Sequence, residues 1–334
     1  MIRRSLLVFA LAALLGTGLQ ALWFGSLPTM ADVRWVHDIL MRKKEIAAAT
    51  PAPKVLLIGS SSVHFGLDAR LMSSESSCRF VNFGLHVLLG IDLPLREAEK
   101  VLAPGDSAVI FIEVGMLGSP FPVGDVLREY VRQHEPEQRT TPDYYFSTRI
   151  WEGLKAPALK LSGALFDAQP HAPPNMPKIW IYTLDHVDAF GDQTGKNPEN
   201  ISPNTLDAVV LRHFPTYRPP RTGPVLDRLL RFKAWADAHG VRVYGGWPPE
   251  YIGHEAGMTK ATTGIAEVFA ELGIPMIGSA RDSFAPLSDL YDGANHLNDK
   301  GAEAFSRRFL ANFQRQAGCA PASADPVSAK PVTR

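Results

Sequence analysis

Short apolar segments alternate with helical patterns along most of this chain, and this alternation restricts the possible folds more than any other feature. The apolar segments predict buried strands at 55–58, 80–83, 108–114, 241–244 and 274–277. Helical spacing of apolar residues predicts helices at 93–102, 225–239, 259–272 and 299–316. Continuous apolar strands joined by helices are typical of a parallel sheet covered on both faces. The sequence therefore predicts an α/β protein, a three-layer α/β/α sandwich with a five-stranded parallel sheet in the order 2-1-3-4-5.

The N-terminus carries Arg3 and Arg4, followed by an uncharged apolar stretch over residues 6–27. A stretch of this length can span a bilayer core, and the two arginines favour the cytoplasmic side. A cleaved signal peptide is the alternative, although the site near its end, Leu19-Gln20-Ala21, fits a signal peptidase poorly. We therefore expect residues 1–30 to form an inner-membrane anchor or a signal segment. In either case the rest of the chain is expected in the periplasm.

The remainder of the chain divides by composition. Residues 31–53 predict a stalk or packing helix with a linker, and residues 54–318 predict the α/β domain. A stretch at about 116–224 holds 15 of the 27 prolines and interrupts the alternation, so it is interpreted as an inserted lid or subdomain. Residues 319–334 are typical of a disordered tail. Cys78 and Cys319 are either joined in a disulfide, as an oxidising compartment allows, or are two free thiols.

Composition and missing motifs disfavour several functional classes. Lys plus Arg and Asp plus Glu each number 34, so the net charge is zero, and nucleic acid is not an expected partner. The chain has neither a GxxxxGK[ST] loop nor a GxGxxG after a strand, which disfavours nucleotide enzymes of those types. On a strand, His186 and Asp188 would share a face while Asp185 points away. Because two convergent ligands are too few for a typical site, we expect no metal and no cofactor.

Two segments carry side chains suited to nucleophilic catalysis. The first predicted strand ends in a Gly-Ser turn that contains Ser61, at the edge where parallel sheets gather ligands. Near the C-terminus, Asp292 and His296 lie on one short loop before the last predicted helix. A serine nucleophile needs a base, and the base needs an acceptor that fixes its tautomer. The pattern predicts that the three side chains converge, with Ser61 Oγ within about 4 Å of a His296 ring nitrogen.

Together these segments resemble the SGNH (GDSL-like) hydrolase family. The resemblance rests on Gly59-Ser60-Ser61 for the first block, Val81-Asn82-Phe83-Gly84 for the second, and His296-Leu297-Asn298 with Gly301 and Ala302 for the last. The last block is similar to that of membrane-anchored extracytoplasmic members related to polysaccharide O-acetyltransferases and esterases. The resemblance implies a flavodoxin-like fold of the SGNH type. It also implies Ser61 as the nucleophile, His296 as the base, Asp292 as the acceptor that orients His296, and Gly84 as an oxyanion-hole donor.

The chain departs from the family pattern at two positions. Asp292 precedes His296 by four residues where the family usually has three, so either the loop bulges or another group orients the imidazole. The third block normally supplies an Asn to the oxyanion hole, whereas this strand ends Phe111-Ile112-Glu113-Val114-Gly115 and has no Asn. Glu113 is either a buried acceptor or a solvated residue at the strand end. The hole then depends on the backbone N–H groups of Gly84 and Ser61. Losing one such donor typically costs about 2.7–4 kcal/mol of transition-state stabilisation.

The expected function is that of an extracytoplasmic serine esterase or O-acyltransferase. Its expected substrates are acyl esters, acetyl esters foremost, of a glycan or another cell-envelope component. The resemblance further implies a membrane-bound O-acyltransferase as a possible partner and a role with exopolysaccharide. The alternative is a catalytically inactive SGNH-like scaffold that binds glycan or a partner in an envelope polysaccharide assembly complex. Three other histidines, His64, His86 and His254, could approach the site and are interpreted as surface or packing residues.

Overall fold

The computed structural model describes residues 32–113, 116–117, 125–135, 137, 181–201, 205–207 and 219–320, together with residues 11, 12, 15, 16 and 19. Most of the predicted anchor or signal segment, much of the 116–224 insertion and residues 321–334 therefore lie outside the described residues. No helix within the described part is long and apolar enough to cross a membrane.

A four-stranded parallel sheet forms the centre of the fold. Its strands are β1 (Lys54–Gly59), β2 (Arg79–Gly84), β3 (Ser107–Phe111) and β4 (Arg242–Gly246), in the order β2-β1-β3-β4. β1 lies between β2 and β3 and is buried along its whole length, which explains why it is apolar on both faces. The register places Gly59 beside Gly84, so β1 and β2 end together. The α/β class, the parallel direction and the order of the first four strands are confirmed.

The predicted fifth strand is wrong. Residues 274–277 run beside β4 in the parallel direction, but they form only one bridge there, between Gly245 and Met276. Pro275 has no N–H group to donate to a ladder, and Gly278, with a φ of 67°, turns the chain away directly afterwards. The segment therefore occupies the place of a fifth strand without forming one. The third strand is also shorter than predicted, since it ends at Phe111, and residue 114 lies outside the described residues.

Helices cover both faces of the sheet. They are α1 (Arg34–Ala49), α2 (Ser61–Gly66), α3 (Ala69–Ser74), α4 (Asp92–Glu99), α5 (Asp125–His134), α6 (Pro224–Ala238), α7 (Glu255–Glu271) and α8 (Asp299–Ala317). On one face, α1, α4, α6 and α7 share an apolar cluster with Leu56 and Ile58 of β1. On the other face, α2, α3 and α8 share a cluster with Val55 and Leu57. Because successive strand residues point to opposite faces, β1 contributes to both cores.

Short elements connect these layers. Strands β5 (Glu250–Tyr251) and β6 (Phe284–Ala285) pair in parallel, and β7 (Leu290–Gly293) and β8 (His296–Leu297) form an antiparallel hairpin. Turns of 3₁₀ helix lie at Val87–Leu89, Leu184–His186, Pro198–Asn200, Ile252–His254, Ala280–Ser283 and Leu287–Asp289. The β7–β8 hairpin directly precedes α8, so it carries the Asp-His segment singled out in the sequence.

The helix predicted within residues 31–53 is a packing helix. α1 buries Val36, Ile39, Leu40 and Ile46 at helical spacing in the core shared with β2. Its Lys43 side chain is fully buried as well. α1 is therefore an integral part of the α/β domain.

Cys78 and Cys319 are joined in a disulfide, with their Cα atoms 5.7 Å apart. The Cys319 side chain is buried in the core that contains α8. Ser77 N–H donates to the Ala320 carbonyl at 2.8 Å beside this bond. The predicted tail therefore begins too early at residue 319, because the disulfide and this hydrogen bond hold residues 319–320 on the domain.

Removing the disulfide is expected to destabilise the protein. The bond joins residues 241 positions apart, and by restricting the unfolded chain such a bond contributes about 2–5 kcal/mol to the free energy of unfolding. Chemical denaturation of the Cys78→Ala/Cys319→Ala double variant measures this loss, with reduced wild-type protein as the matched control. Equal free energies of unfolding for the oxidised wild type and the double variant would contradict the expectation.

Candidate active site

Ser61 begins α2 directly after the turn that ends β1. Ser60 is the N-cap of this helix: its Oγ accepts from Ser62 N–H at 3.2 Å and its carbonyl accepts from Val63 N–H at 3.1 Å. A Cβ at Gly59 would lie 2.4 Å from the Val63 side chain, so glycine is needed for the helix to start this close to the strand. The turn thus presents Ser61, 5% exposed, at the carboxyl edge of the sheet.

His296 and Asp292 lie on the β7–β8 hairpin, which Asn298 fixes to α8. The Asn298 side chain caps α8 by accepting from Gly301 N–H at 2.9 Å. Its amide also donates to the Leu290 carbonyl of β7 at 3.1 Å. Asn298 and Gly301 of the last sequence block therefore have a structural role, because their hydrogen bonds hold the β7–β8 hairpin in one position relative to α8.

The structure brings Ser61, His296 and Asp292 together at the carboxyl edge of the sheet. His296 Nε2 lies 2.8 Å from Ser61 Oγ, and His296 Nδ1 lies 2.6 Å from Asp292 Oδ1. The first distance is inside the predicted limit of about 4 Å. A register shift between Leu290 and Gly293 accommodates the additional residue, so the hairpin bulges and Asp292 itself contacts the imidazole. The catalytic roles of the three residues stay a prediction.

Tyr182 contacts both Asp292 and His296 through its hydroxyl group. Its O–H donates to Asp292 Oδ2 at 3.1 Å, and its oxygen lies 3.3 Å from His296 Nδ1. Its ring packs against Phe65, which in turn stacks on the His296 imidazole with centroids 4.6 Å apart and an interplanar angle of 14°. Tyr182 and Phe65 therefore fix the plane of the imidazole and cover one of its faces.

Neither aromatic residue was found from the sequence. Tyr182 lies in the proline-rich stretch that lacks periodicity, so no local signal pointed to it. Phe65 follows Ser61 by four residues, and this helical spacing places both on one face of α2. That spacing could have identified Phe65 once α2 was recognised.

The pKa shifts around the site favour an ionised Asp292 beside a neutral Tyr182 and a neutral His86. Burial raises the pKa of Asp292, but the charge of His296 and hydrogen bonds from His296 and Tyr182 outweigh burial, so the pKa is lowered overall. Burial, and then the charge of Asp292, raises the pKa of Tyr182 well above its ordinary value, so Tyr182 keeps its proton. Burial, and then the charge of His296, lowers the pKa of His86 to about 4. Asp292 is thus the anionic partner of the imidazole.

The predicted oxyanion donor Gly84 lies against α2, but its amide is already paired. A Cβ at Gly84 would lie 2.3 Å from His64 N, so the close approach requires glycine. The Gly84 N–H donates to Asn82 Oδ1 at 3.0 Å, and the prediction that it donates to an oxyanion is therefore not met in this arrangement. Ser61 begins α2, and the first N–H groups of a helix have no intrahelical acceptor. The role of the Ser61 N–H in an oxyanion hole stays a prediction.

Glu113, which follows β3, contacts the serine turn. Its carboxylate accepts a hydrogen bond from Ser60 O–H, and Ser60 Oγ also lies 3.0 Å from Ser62 Oγ. The Glu113 side chain is half-buried. Of the two interpretations of Glu113, the contact supports an acceptor behind the site, which holds the N-cap of the helix that begins with Ser61.

The three additional histidines are packing residues. His64 is fully buried, with Nδ1 2.9 Å from Lys43 Nζ, and His254 is buried with Nδ1 3.0 Å from Glu250 Oε1. His86 is half-buried with its ring edge-on to Trp35.

Residues 185–188, considered above as a metal pair on a strand, form a different local structure. Leu184–His186 is a 3₁₀ turn, and Val187 makes an isolated antiparallel bridge with Gln193. Asp188 Oδ1 accepts from the N–H groups of Phe190 and Asp192 and so stabilises the turn between them. Across the described ranges, no group of three or more His, Cys, Asp and Glu side chains could hold a metal ion.

A polar cleft of about 480 Å³ lies beside this turn. It is lined by residues of the turn, among them Gln193, Thr194 and Lys196, and by the start of α8. Ser61, Asp292 and His296 do not line it. The cleft is therefore separate from the edge at which Ser61 is presented.

Chemically, the arrangement provides a hydroxyl, a base and a buried carboxylate in one hydrogen-bonded chain. The imidazole can accept the Ser61 proton at Nε2 while Asp292 stabilises the resulting imidazolium through Nδ1–H. This is the set of groups needed for acyl transfer through a covalent serine ester. No protein-family model matches the chain, and no curated protein matches it either.

Proposed function

We propose that this protein is a serine esterase or O-acyltransferase of the SGNH type that acts on acyl esters of a glycan or another envelope component. The observation that carries the proposal is the contact chain from Ser61 Oγ through His296 to Asp292 at the carboxyl edge of a parallel sheet. That edge is where open α/β sheets bind their ligands. The choice of acetyl esters and of a glycan rests on the sequence resemblance alone.

The mechanism follows from the positions of the three side chains. Ser61 Oγ attacks the acyl carbonyl while His296 Nε2 accepts the serine proton, and a tetrahedral oxyanion forms. The bond between the acyl carbon and the ester oxygen then breaks as His296 gives the proton to the leaving alcohol, which leaves an acyl-serine. His296 Nε2 then takes a proton from a water or a sugar hydroxyl as the oxygen of that group attacks this ester. The bond between the acyl carbon and Ser61 Oγ breaks as His296 gives that proton to Ser61 Oγ. Water yields a free acid, whereas a sugar hydroxyl yields a new ester.

The cellular setting belongs to the same proposal and rests on the sequence. The apolar stretch at residues 6–27 supports an N-terminal inner-membrane anchor, with the α/β domain in the periplasm. A membrane-bound O-acyltransferase is the proposed partner, since an anchored domain would work close to it. The disulfide between Cys78 and Cys319 suits an oxidising compartment.

A second candidate function, a catalytically inactive scaffold, is favoured by two observations. The Gly84 amide donates to Asn82 Oδ1. The third strand supplies no Asn, and the carboxylate of Glu113, which follows β3, accepts a hydrogen bond from Ser60 O–H of the serine turn. A negative charge there opposes an oxyanion. Such a scaffold would bind glycan or a partner protein at the same edge of the sheet.

A fluorophosphonate probe separates the two candidates. An activated serine next to a base reacts with the probe, so folded wild-type protein is expected to be labelled and Ser61→Ala is expected not to be. Ser62→Ala is the matched control, because it removes a neighbouring hydroxyl and should be labelled like the wild type. Absence of labelling in folded wild-type protein would favour the scaffold, and labelling that survives in Ser61→Ala would place the nucleophile elsewhere.

A further inference from the structure

Lys43 is a fully buried lysine whose amine lies between two elements of the site. Its Nζ lies 2.9 Å from His64 Nδ1, 3.2 Å from Asn82 Oδ1 and 2.7 Å from the Gly84 carbonyl oxygen. An ammonium group has three N–H donors, and here it finds three acceptors. The Lys43 side chain starts on α1, so a helix that is not part of the serine turn supplies this buried amine.

The acceptors belong to the two elements that set the position of Ser61. His64 lies on the six-residue helix α2 that Ser61 begins, and Gly84 ends β2, the strand beside β1. The Asn82 side chain extends the contact, because its Nδ2 donates to the Val63 carbonyl of α2 at 3.0 Å. The Lys43 amine therefore connects α2 to the end of β2 both directly and through Asn82.

We propose that Lys43 is a positioning residue, which holds α2 against β2 and thereby keeps Ser61 Oγ within reach of His296. The proposal rests on the proposed esterase or acyltransferase function and goes beyond it, since Lys43 touches none of the three side chains that would react. A short helix that carries a nucleophile needs such a contact, because a displacement of about 1 Å can cost on the order of 100-fold in rate.

The protonation state of Lys43 is linked to the tautomer of His64. Burial lowers the pKa of Lys43, the charges of Asp192 and Asp188 raise it and the charge of Lys196 lowers it, and together these effects bring the pKa to about 7. Burial, and then the charge of Lys43, lowers the pKa of His64 well below its ordinary value, so His64 is neutral near neutral pH.

The ammonium form of Lys43 requires His64 Nδ1 as an acceptor, which places the imidazole proton on Nε2. A neutral Lys43 amine has two N–H groups and one lone pair. If the two N–H groups donate to Asn82 Oδ1 and the Gly84 carbonyl oxygen, the lone pair faces His64 and must accept a hydrogen bond from His64 Nδ1–H. Deprotonation of Lys43 thus releases one proton and moves the His64 proton from Nε2 to Nδ1.

Lys54 offers a matched control at the opposite end of the same sheet. It is also buried, and its Nζ pairs with Asp106 Oδ2 at 2.7 Å at the start of β1. Lys43→Met and Lys54→Met each remove a buried amine and leave buried acceptors unsatisfied, so both should lower the free energy of unfolding. Only the first removes a contact to the helix that begins with Ser61.

The test compares kcat and KM for a small acetyl ester in the two variants. Lys43→Met is expected to lower kcat by about 10- to 100-fold with KM nearly unchanged, whereas Lys54→Met should leave both constants close to the wild type. Equal kcat values for Lys43→Met and the wild type, or equal losses in both variants, would overturn the proposal. If Lys43→Met does not fold, Lys43→Gln, which keeps two N–H donors, is measured instead, and it is expected to give a smaller loss of kcat.

Nitrogen NMR of the His64 ring tests the contact without any turnover. In the wild type the ring is expected to change from the Nε2–H to the Nδ1–H tautomer as the pH rises through about 7, and the change should be absent in Lys43→Met. Ring nitrogen shifts and a tautomer that are the same in the wild type and in Lys43→Met at every pH would show that the amine does not contact the ring, and would overturn the proposal. Wild-type protein that shows the tautomer change but hydrolyses no ester would instead count against the proposed function.

Discussion

Replacing Ser61 with alanine is expected to lower kcat for a small acetyl ester by about 10⁴- to 10⁶-fold, and His296→Ala is expected to lower it to a similar depth. The reason is that the nucleophile and the base act in one proton-coupled step, so the loss of either removes the same transition state. The 2.8 Å contact between Ser61 Oγ and His296 Nε2 makes this coupling direct. Steady-state hydrolysis by the purified variants measures the effect.

Two controls make this result specific. Ser62→Ala removes a hydroxyl that contacts Ser60 rather than His296, so it should retain most of the activity. The Ser61→Ala/His296→Ala double variant should lose no more activity than either single variant, because the two residues act as a unit. Hydrolysis that persists in Ser61→Ala and disappears in Ser62→Ala would show that the nucleophile is Ser62.

Asp292→Asn is expected to lower kcat by about 10⁴-fold. The carboxylate accepts from His296 Nδ1 at 2.6 Å and so leaves Nε2 free to take the Ser61 proton. An amide in its place can present N–H to Nδ1, which favours the tautomer with the proton on Nε2. The pKa of Asp292 is lowered although burial raises it, because the charge of His296 and the hydrogen bonds from His296 and Tyr182 together outweigh burial, and this agrees with a role as an anionic acceptor.

Asp289→Asn is the matched control for this variant. Asp289 is buried three residues before Asp292, and its carboxylate accepts from Ser288 O–H and Lys300 rather than from the imidazole. The control should keep kcat near the wild-type value. Comparable losses in both variants would show that the effect arises from the loop and not from the contact with His296.

The central sheet was predictable because its strands are apolar on both faces. β1 is buried along its whole length, and its residues feed two separate cores, which gives a continuous apolar run. Apolar character did not predict residues 274–277 correctly, since it indicates that a segment is buried and not that it forms the hydrogen bonds of a strand. Pro275 lacks the N–H group that a strand requires, and this was visible in the sequence.

The candidate site was predictable where it depends on short local motifs. The serine turn and the Asp-His loop each occupy one segment, and the carboxyl edge of the sheet brings them together. Tyr182 and Lys43 reach the site from stretches with no motif, so only the tertiary structure could identify them. The motif implied Gly84 as an oxyanion-hole donor, but the hydrogen bond from its N–H to Asn82 depends on a side-chain rotamer that a sequence does not specify.

A covalent intermediate on Ser61 would be the decisive observation. Wild-type protein is incubated with an activated acetyl ester, quenched in acid, digested and analysed by mass spectrometry, since acid preserves an acyl-serine. We predict a single acetyl group on the peptide that contains Ser61, lost with time after the ester is removed and absent from Ser61→Ala. Turnover of the ester with no acetyl group on Ser61, or with a stable acetyl group on another residue, would contradict the proposed chemistry.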